Sequence, residues 1–424
     1  MDLILALLIL FVAARLAGEA MEQIHQSPMI GEVLAGIVLG PTILGLIDPN
    51  PLAEPGASLG VVAQLGILVL VLLAGMELGR EGLLQALRER SMLVAAVEFF
   101  LPFALGYSVA LALGMTFPQS LFFGTALAVT ALPVSVRILM DLGLLQSRVG
   151  RAIVSVALAN DLVAFAMLGL ILEFARLGMS TPDLWTVGLV AGKNLIFLGL
   201  VFCLSIVLKL TMRDSRDGTS HMQRFIGRLR GQESGFALSI ILALSLGAVA
   251  ELVGIHFAVG VFYGGILVSP RLLGDFQFVK IRSGVSVVTF GLFAPIFFAF
   301  VGLRFTFSFE AWPLIVAVTA VAFVGKLLGG ILGGLFAGFR GASVLALGVG
   351  LNARGMMELL LAQVGLAAGI IDVSMYSALV VMALVTTLST PPLLKRIMRK
   401  FRAEDILPAI SVPALKPGGS NGML

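Results

Sequence analysis

A single acidic residue lies in the middle of a long apolar segment of this chain. Asp161 is the only ionisable residue between Arg151 and Glu173. At about 1.5 Å per helical residue it lies roughly 15 Å from either end, which is the middle of a hydrocarbon core about 30 Å thick. A buried carboxylate is costly to ionise without compensation, so a proton and a cation would compete for it. This favours an ion-binding role over an aspartate that only joins helices.

Neutral oxygen atoms accompany this carboxylate in the sequence. Asn160 precedes it directly, and Thr130 and Ser135 place hydroxyl groups in the previous apolar segment. One carboxylate with neutral oxygens suits a monovalent cation such as Na+ or K+, whereas Ca2+ takes about 6–8 oxygen ligands. We predict ion and proton binding at Asp161, Asn160, Thr130 and Ser135, with Asp161 as the ligand of the cation.

A second set of charged residues also falls inside apolar segments. Glu358 follows Arg354 by one helical turn, which favours a local ion pair. This pair is either static or compensates charge at the ion site, and both interpretations stay open. Lys326 and Lys193 each reach the interface or pair with Glu98, and the sequence does not choose between these arrangements. We assign charge compensation to Arg354, Glu358 and Lys326.

Composition restricts the protein class. Hydrophobic residues make up 59% of the 424 residues and charged residues 12%, whereas soluble globular proteins contain about 25% charged residues. The chain is therefore an all-α polytopic membrane protein whose surroundings are the lipid bilayer. The net charge of +4 reflects where lysine and arginine fall relative to the membrane, so no nucleic-acid partner is predicted. Cys203 is the only cysteine, which excludes an intrachain disulfide, and no cofactor is predicted.

Apolar runs bounded by charges, proline or glycine predict about thirteen transmembrane helices. They lie near residues 2–18, 28–47, 59–78, 91–113, 119–139, 151–173, 184–209, 235–254, 256–270, 284–304, 313–336, 342–366 and 374–395. With the amino terminus outside, the cytoplasmic segments hold twenty lysine and arginine residues and the outer loops two, Arg176 and Arg304. This bias predicts a multi-pass protein of the cell membrane with a cytoplasmic carboxyl terminus.

Two of the spans are predicted to be discontinuous. The fifth contains Pro133, which lacks a backbone donor and leaves upstream carbonyl groups without their helical partner. The twelfth is interrupted by the polar, glycine-containing stretch 348–355. Helix ends at mid-membrane are tolerated where they face protein or a water-filled cavity, and there they can hold ions.

The two halves of the chain share a pattern. Gly36 matches Gly265, because each is followed by isoleucine and, four residues after that, by proline. The residues around Gly75 likewise match those around Gly302. Because the matching spans run in opposite directions, we predict inverted repeats at about 1–174 and 235–400, joined by a linker helix at about 184–209. Residues 1–400 then form one transporter unit, and 401–424 form a short cytoplasmic tail.

Together these features resemble the cation:proton antiporter superfamily, and more closely its second branch, which contains bacterial Na+/H+ antiporters and the membrane domains of K+ efflux systems. The similar stretches are 28–41, 130–145, Asn160-Asp161, 251–254 with 260–265, 295–303 and 352–355. The resemblance implies thirteen helices with two crossed discontinuous helices, a homodimer, and a core domain that moves like an elevator. It assigns the carrier role to Asp161, with Asn160 as its partner and Thr130 in the crossing segment.

The chain also departs from the second branch. Asn160-Asp161 replaces the usual Asp-Asp pair, and the 283–303 segment lacks the lysine that electrogenic members carry in the tenth helix. These departures predict electroneutral antiport of Na+ or K+ against H+. No enzymatic activity is predicted, because no histidine lies at mid-depth and Asp161 has no neighbouring aspartate. The alternatives are a cation channel-like pathway and a Na+-coupled symporter of an organic anion.

Overall fold

The computed structural model describes residues 3–49, 58–88, 91–145, 147–178, 184–211 and 234–399. Within these ranges the regular structure is helical throughout, which confirms the all-α prediction. The predicted tail at 401–424 lies outside the described residues. The first half contains α1 (Leu3–Gln23), α2 (Pro28–Leu39), α3 (Ser58–Arg88), α4 (Ser91–Ala112), α5 (Phe117–Ala128), α6 (Leu132–Asp141), α7 (Arg148–Arg176) and α8 (Leu184–Thr211).

The second half has a similar succession of long and short helices. It contains α9 (Ser234–Val253), α10 (Phe257–Leu267), α11 (Pro270–Leu273), α12 (Asp275–Val288), α13 (Ala294–Leu303), α14 (Trp312–Phe336), α15 (Ala342–Gly350), α16 (Met356–Ala367) and α17 (Val373–Met398). A π-helical turn, Thr289–Phe293, joins α12 to α13.

Nine helical segments in the described part of the chain are long and apolar enough to cross a membrane. This confirms a multi-pass membrane protein, and the count of thirteen stays a prediction. Trp185 and Trp312 stand at the beginnings of α8 and α14 and are 80% and 54% exposed, as expected for side chains at a membrane interface.

The prediction of a helix over 28–47 is wrong in its second part, because α2 ends at Leu39. Gly40 is extended with ψ −179°, and the next residue is Pro41. Proline disfavours the helical conformation in the residue before it, which accounts for the early end. The ninth predicted span is likewise shorter than 256–270, since α10 covers Phe257–Leu267.

The two predicted discontinuous helices are confirmed, and they cross at their breaks. The chain is extended between α5 and α6, and α15 ends six residues before α16 begins. At the crossing the Ala131 N–H donates to the Ala353 carbonyl at 3.1 Å, and the Thr130 hydroxyl lies 3.2 Å from the Leu351 carbonyl. The breaks of both helices therefore meet at one point inside the protein.

Helix packing repeats between the halves. α1 packs on α2 as α9 packs on α10, and α2 packs on α13 as α10 packs on α3. The α2–α13 contact and the α10–α3 contact use the glycines that match between the two halves of the sequence. A Cβ atom on Gly36 would lie 1.9 Å from the Ala299 carbonyl oxygen, and one on Gly75 would lie 2.2 Å from that of Phe262. Only glycine permits these backbone approaches, so the shared residues reflect a shared packing geometry.

A glycine stripe on α14 brings that helix against its neighbours. A Cβ atom on Gly329 would lie 2.9 Å from Cα of Glu98 on α4, and one on Gly330 would lie 2.6 Å from Cα of Gly348 on α15. Small residues at helical spacing allow such close approach in membranes. Lys326, one turn before these glycines, is consequently placed against α4 and the crossing point.

Candidate ion-binding site

Asp161 lies inside the bundle on α7. Ser147 begins this helix, and its Oγ accepts a hydrogen bond from the Gly150 N–H at 2.9 Å. The Asp161 residue is 5% exposed, and among the described residues no group donates a hydrogen bond to its Oδ1. Glu77 and Lys326 interact with it electrostatically. This carboxylate oxygen is therefore available to a proton or a cation.

A buried polar network surrounds the residue before it. Asn160 Nδ2 donates to Glu98 Oε2 at 2.6 Å and lies 3.3 Å from Thr130 Oγ1. Lys326 Nζ forms an ion pair with Glu98 Oε1 and donates to Thr130 Oγ1 at 2.7 Å. Thr130 Oγ1 in turn lies 2.9 Å from Glu98 Oε1. All four residues are at most 1% exposed, so each is fixed by the others rather than by water.

Three of the sequence-predicted site residues, Asn160, Thr130 and Lys326, thus meet in this network. Glu98, at its centre, is the residue that sequence reasoning did not place in the site. The sequence indicated Glu98 only as a possible partner of Lys326 or Lys193. Lys193 instead contacts Glu173 at 2.7 Å, which leaves Glu98 to Lys326.

Arg354 contacts the carboxyl end of the half-helix α5. Its Nη1 and Nη2 atoms donate to the carbonyl oxygens of Ala126 and Leu127, each at 2.7 Å. These carbonyls belong to the last turn of α5, where helix carbonyls lack intrahelical partners and carry partial negative charge. At the break between α5 and α6, two carbonyl groups from the end of α5 are therefore bound by a residue of the other broken helix.

Glu358 completes this arrangement. Its Oε2 lies 3.6 Å from Arg354 Nη1, so the predicted local ion pair is present. Neither Glu358 oxygen has a hydrogen-bond donor within the described ranges. Arg354 is nevertheless held on two carbonyls and one carboxylate, and it is fully buried.

Ser135 lies on α6 and is 2% exposed. Its Oγ has no hydrogen-bond partner in the described part of the chain. Its role as a ligand stays a prediction.

The fixed charges near the crossing point balance in pairs. Lys326 is matched by Glu98, and Arg354 is matched by Glu358. Asp161 is left as the carboxylate without a salt bridge among these five residues, and it directly follows the network residue Asn160. The arrangement can therefore accept one positive charge at Asp161 and return to neutrality.

Comparisons with known proteins show what this chain is similar to. Residues 3–400 match the family described as sodium/hydrogen exchanger, transmembrane. The Na+/H+-K+ antiporter GerN of Bacillus cereus is 30% identical over 390 residues, which cover 91% of this chain and 94% of GerN. The Na+/H+ antiporter NhaS4 of Synechocystis is 31% identical over 417 residues, covering 93% and 97% of the two chains.

The fold also matches a solved structure. The sodium proton antiporter MjNhaP1 of Methanocaldococcus jannaschii aligns with a TM-score of 0.71 over 94% of this chain and 98% of that one. The sequence identity is 16%, so this likeness is one of fold.

Proposed function

The chain belongs to the sodium/hydrogen exchanger transmembrane family, and from that premise we propose that Asp161 carries a monovalent cation, Na+ or K+, in one direction and H+ in the other. The observation that carries the proposal is the buried Asp161 Oδ1, which no donor in the described part of the chain reaches, beside charges that are already paired. In a low-dielectric interior an unpaired carboxylate is unstable, so Asp161 holds either a proton or a cation. Exchange follows if the carrier crosses the membrane only when a proton or a cation is bound to it.

The neighbouring residues have separate roles in this scheme. Asn160 and Thr130 are held by Glu98 and Lys326, so they form a rigid wall beside Asp161. Ser135 contributes a further hydroxyl oxygen. Arg354 and Glu358 compensate the charge of the half-helix end at the crossing point.

The movement is of the elevator type in this proposal. The crossed helices α5, α6, α15 and α16 pack with α4, α7, α14 and α17, and this group forms the moving core. The helices α1, α2, α3, α9, α10 and α13 pack among themselves and form the scaffold and the homodimer contact. The two inverted repeats are 1–174 and 235–400, linked by α8. The amino terminus is outside and the carboxyl terminus is cytoplasmic, as the distribution of lysine and arginine favours.

The exchange is electroneutral, with one cation for one proton. Because Lys326 is paired with Glu98, Arg354 with Glu358 and Glu77 with Arg282, Asp161 is the group that changes its charge state in the proposed cycle. Each half-cycle then moves one positive charge. The carbonyl and carboxylate contacts of Arg354 also disfavour the symport alternative, since both terminal nitrogens of its guanidinium group already have partners.

Purified protein in liposomes tests the carrier. Addition of Na+ or K+ should collapse an imposed pH gradient for the native chain. Asp161→Asn should abolish this exchange and retain the fold, because the amide resembles the protonated carboxyl group in size. Substantial cation-dependent proton flux from Asp161→Asn would overturn the assignment.

The stoichiometry needs a separate experiment. With the membrane potential clamped, the exchange rate should be independent of voltage, and addition of cation should produce no current on solid-supported membranes. A rate that follows the voltage would contradict the one-for-one cycle and require a second proton carrier, for which Lys326 is the candidate. Lys326→Met would then remove the voltage dependence.

A further inference from the structure

A lateral groove lies outside the ion site, between α7, α8 and α10. It encloses about 610 Å³, including its open side. The α8 side is formed at helical spacing by Ala191, Leu195 and Leu198, and the α7 side by Ala166 and Leu170. The small alanine side chains on two facing helices leave the hollow between them.

The surroundings of the groove define the chemistry of its occupant. Leu195 lines it and is 67% exposed, so the groove is open on the side of α8 that faces the membrane. Its lining is apolar apart from Asn194 and the Tyr263 hydroxyl group. Water gains few hydrogen bonds there, whereas a hydrocarbon chain matches the surface.

A charged pair lies close to the groove residues without lining the hollow itself. Glu173 follows Leu170 by one turn of α7, and Lys193 adjoins the lining residue Asn194 on α8. Lys193 Nζ contacts Glu173 Oε1 at 2.7 Å, while its side chain remains 36% exposed. Arg176, a further turn along α7, is exposed at the helix end. Lys193 and Arg176 thus provide two cations that can contact a phosphate.

Glu173 provides an independent indication of a ligand. It is 4% exposed, and no donor in the described ranges reaches its Oε2. A Cβ atom at Gly254 would lie 3.1 Å from this oxygen, so the backbone of the α9–α10 turn closes one side. A buried carboxylate oxygen suits a hydrogen-bond donor, and the basic residue beside it suits a phosphate. A ligand in which the donor and the phosphate are joined by a short linker matches both.

We propose that the groove binds a phospholipid of the phosphatidylethanolamine type. One acyl chain lies between α7, α8 and α10, the phosphate contacts Lys193 and Arg176, and the ammonium group donates to Glu173 Oε2. Because the groove is shared by the core helix α7, the linker α8 and the scaffold helix α10, the lipid contacts all three elements. This binding does not depend on which ion Asp161 carries.

Lipid retention measured by native mass spectrometry tests the proposal. Delipidated full-length protein is incubated with dioleoyl phosphatidylethanolamine or dioleoyl phosphatidylcholine, which has the same net charge but no headgroup donor. The native chain should retain the ethanolamine lipid about tenfold better, as expected for one hydrogen bond to a charged group. Glu173→Gln should reduce this preference.

Two variants on one helix separate the groove from general lipid contact. Ala191→Phe fills the hollow and should lower ethanolamine-lipid retention about tenfold, corresponding to about two methylene groups kept out of it. Ile196→Phe, on a side chain that is 68% exposed and outside the lining, should bind like the native chain. Equal retention of both lipids by the native chain, or native retention by Ala191→Phe, would overturn the proposal. Ala166→Phe on the facing helix repeats the test should Ala191→Phe fail to fold.

Discussion

Replacing Arg354 by methionine should destabilise the protein strongly, because three buried groups lose their partner together. Methionine fills a similar volume without charge. It leaves Glu358 without its counter-ion and the Ala126 and Leu127 carbonyls without their 2.7 Å donors. Breaking a buried ion pair costs about 3–5 kcal/mol. A buried group that loses its only hydrogen-bond partner costs about 1–3 kcal/mol.

These contributions share one side chain and do not add fully, so we expect a loss of at least about 3 kcal/mol in the free energy of unfolding. Equilibrium unfolding in mixed micelles measures this quantity, and thermal unfolding should show a lower midpoint. Arg340→Met, at an exposed arginine, is the matched control and should change stability by about 0.5 kcal/mol or less.

A second substitution separates the two causes. Adding Glu358→Gln to Arg354→Met removes the unpaired carboxylate and should recover part of the lost stability, while the two carbonyls remain without donors. Native stability of Arg354→Met, with transport lost, would refute the structural reasoning and leave Arg354 with a purely functional role. A double variant no more stable than Arg354→Met would show that Glu358 carries no uncompensated charge.

Three further substitutions test the positioning of the site. Glu98→Gln leaves Lys326 unpaired and should lower the free energy of unfolding by about 3–5 kcal/mol. Adding Lys326→Met removes the unpaired charge and should restore most of that stability. A double variant as unstable as Glu98→Gln in equilibrium unfolding would argue against the pair. Thr130→Val removes the hydroxyl shared by Lys326 and Asn160 and should slow exchange in liposomes with little loss of expression, whereas native rates would exclude Thr130 from the site. Gly329→Ala should reduce both stability and exchange because its methyl group would lie 2.9 Å from Cα of Glu98, while the control Gly284→Ala meets nothing within 4 Å. Equal thermal midpoints for the two glycine variants would contradict this account.

The discontinuous helices could be predicted from the sequence because their cause is local. Pro133 lacks a backbone donor, and the 348–355 stretch combines glycine with polar side chains, so neither segment continues a helix. The central position of Asp161 in its helix followed in the same way from the length of the uninterrupted apolar segment around it. Such features depend on residues within one or two helical turns, and these residues can be read directly from the sequence.

The end of α2 shows the opposite case. Apolar residues continue past Leu39, so hydrophobicity extended the predicted span to residue 47. The conformation is decided instead by Pro41, which acts on the residue before it and ends the helix at a position that a hydropathy count does not detect.

The partner of Lys326 could not be predicted because it depends on the relative rotation of two helices far apart in sequence. Glu98 was equally available to Lys326 and Lys193 on depth alone. The choice follows from the glycines of α14, which pack on the backbone of α4 at Glu98 and so turn Lys326 towards it. Lys193 is left on a helix that packs against α7, where Glu173 is the nearest carboxylate at 2.7 Å. The glycine stripe therefore does more than pack two helices: by pairing Lys326 with Glu98, it leaves Asp161 as the carboxylate to which we propose that the cation binds.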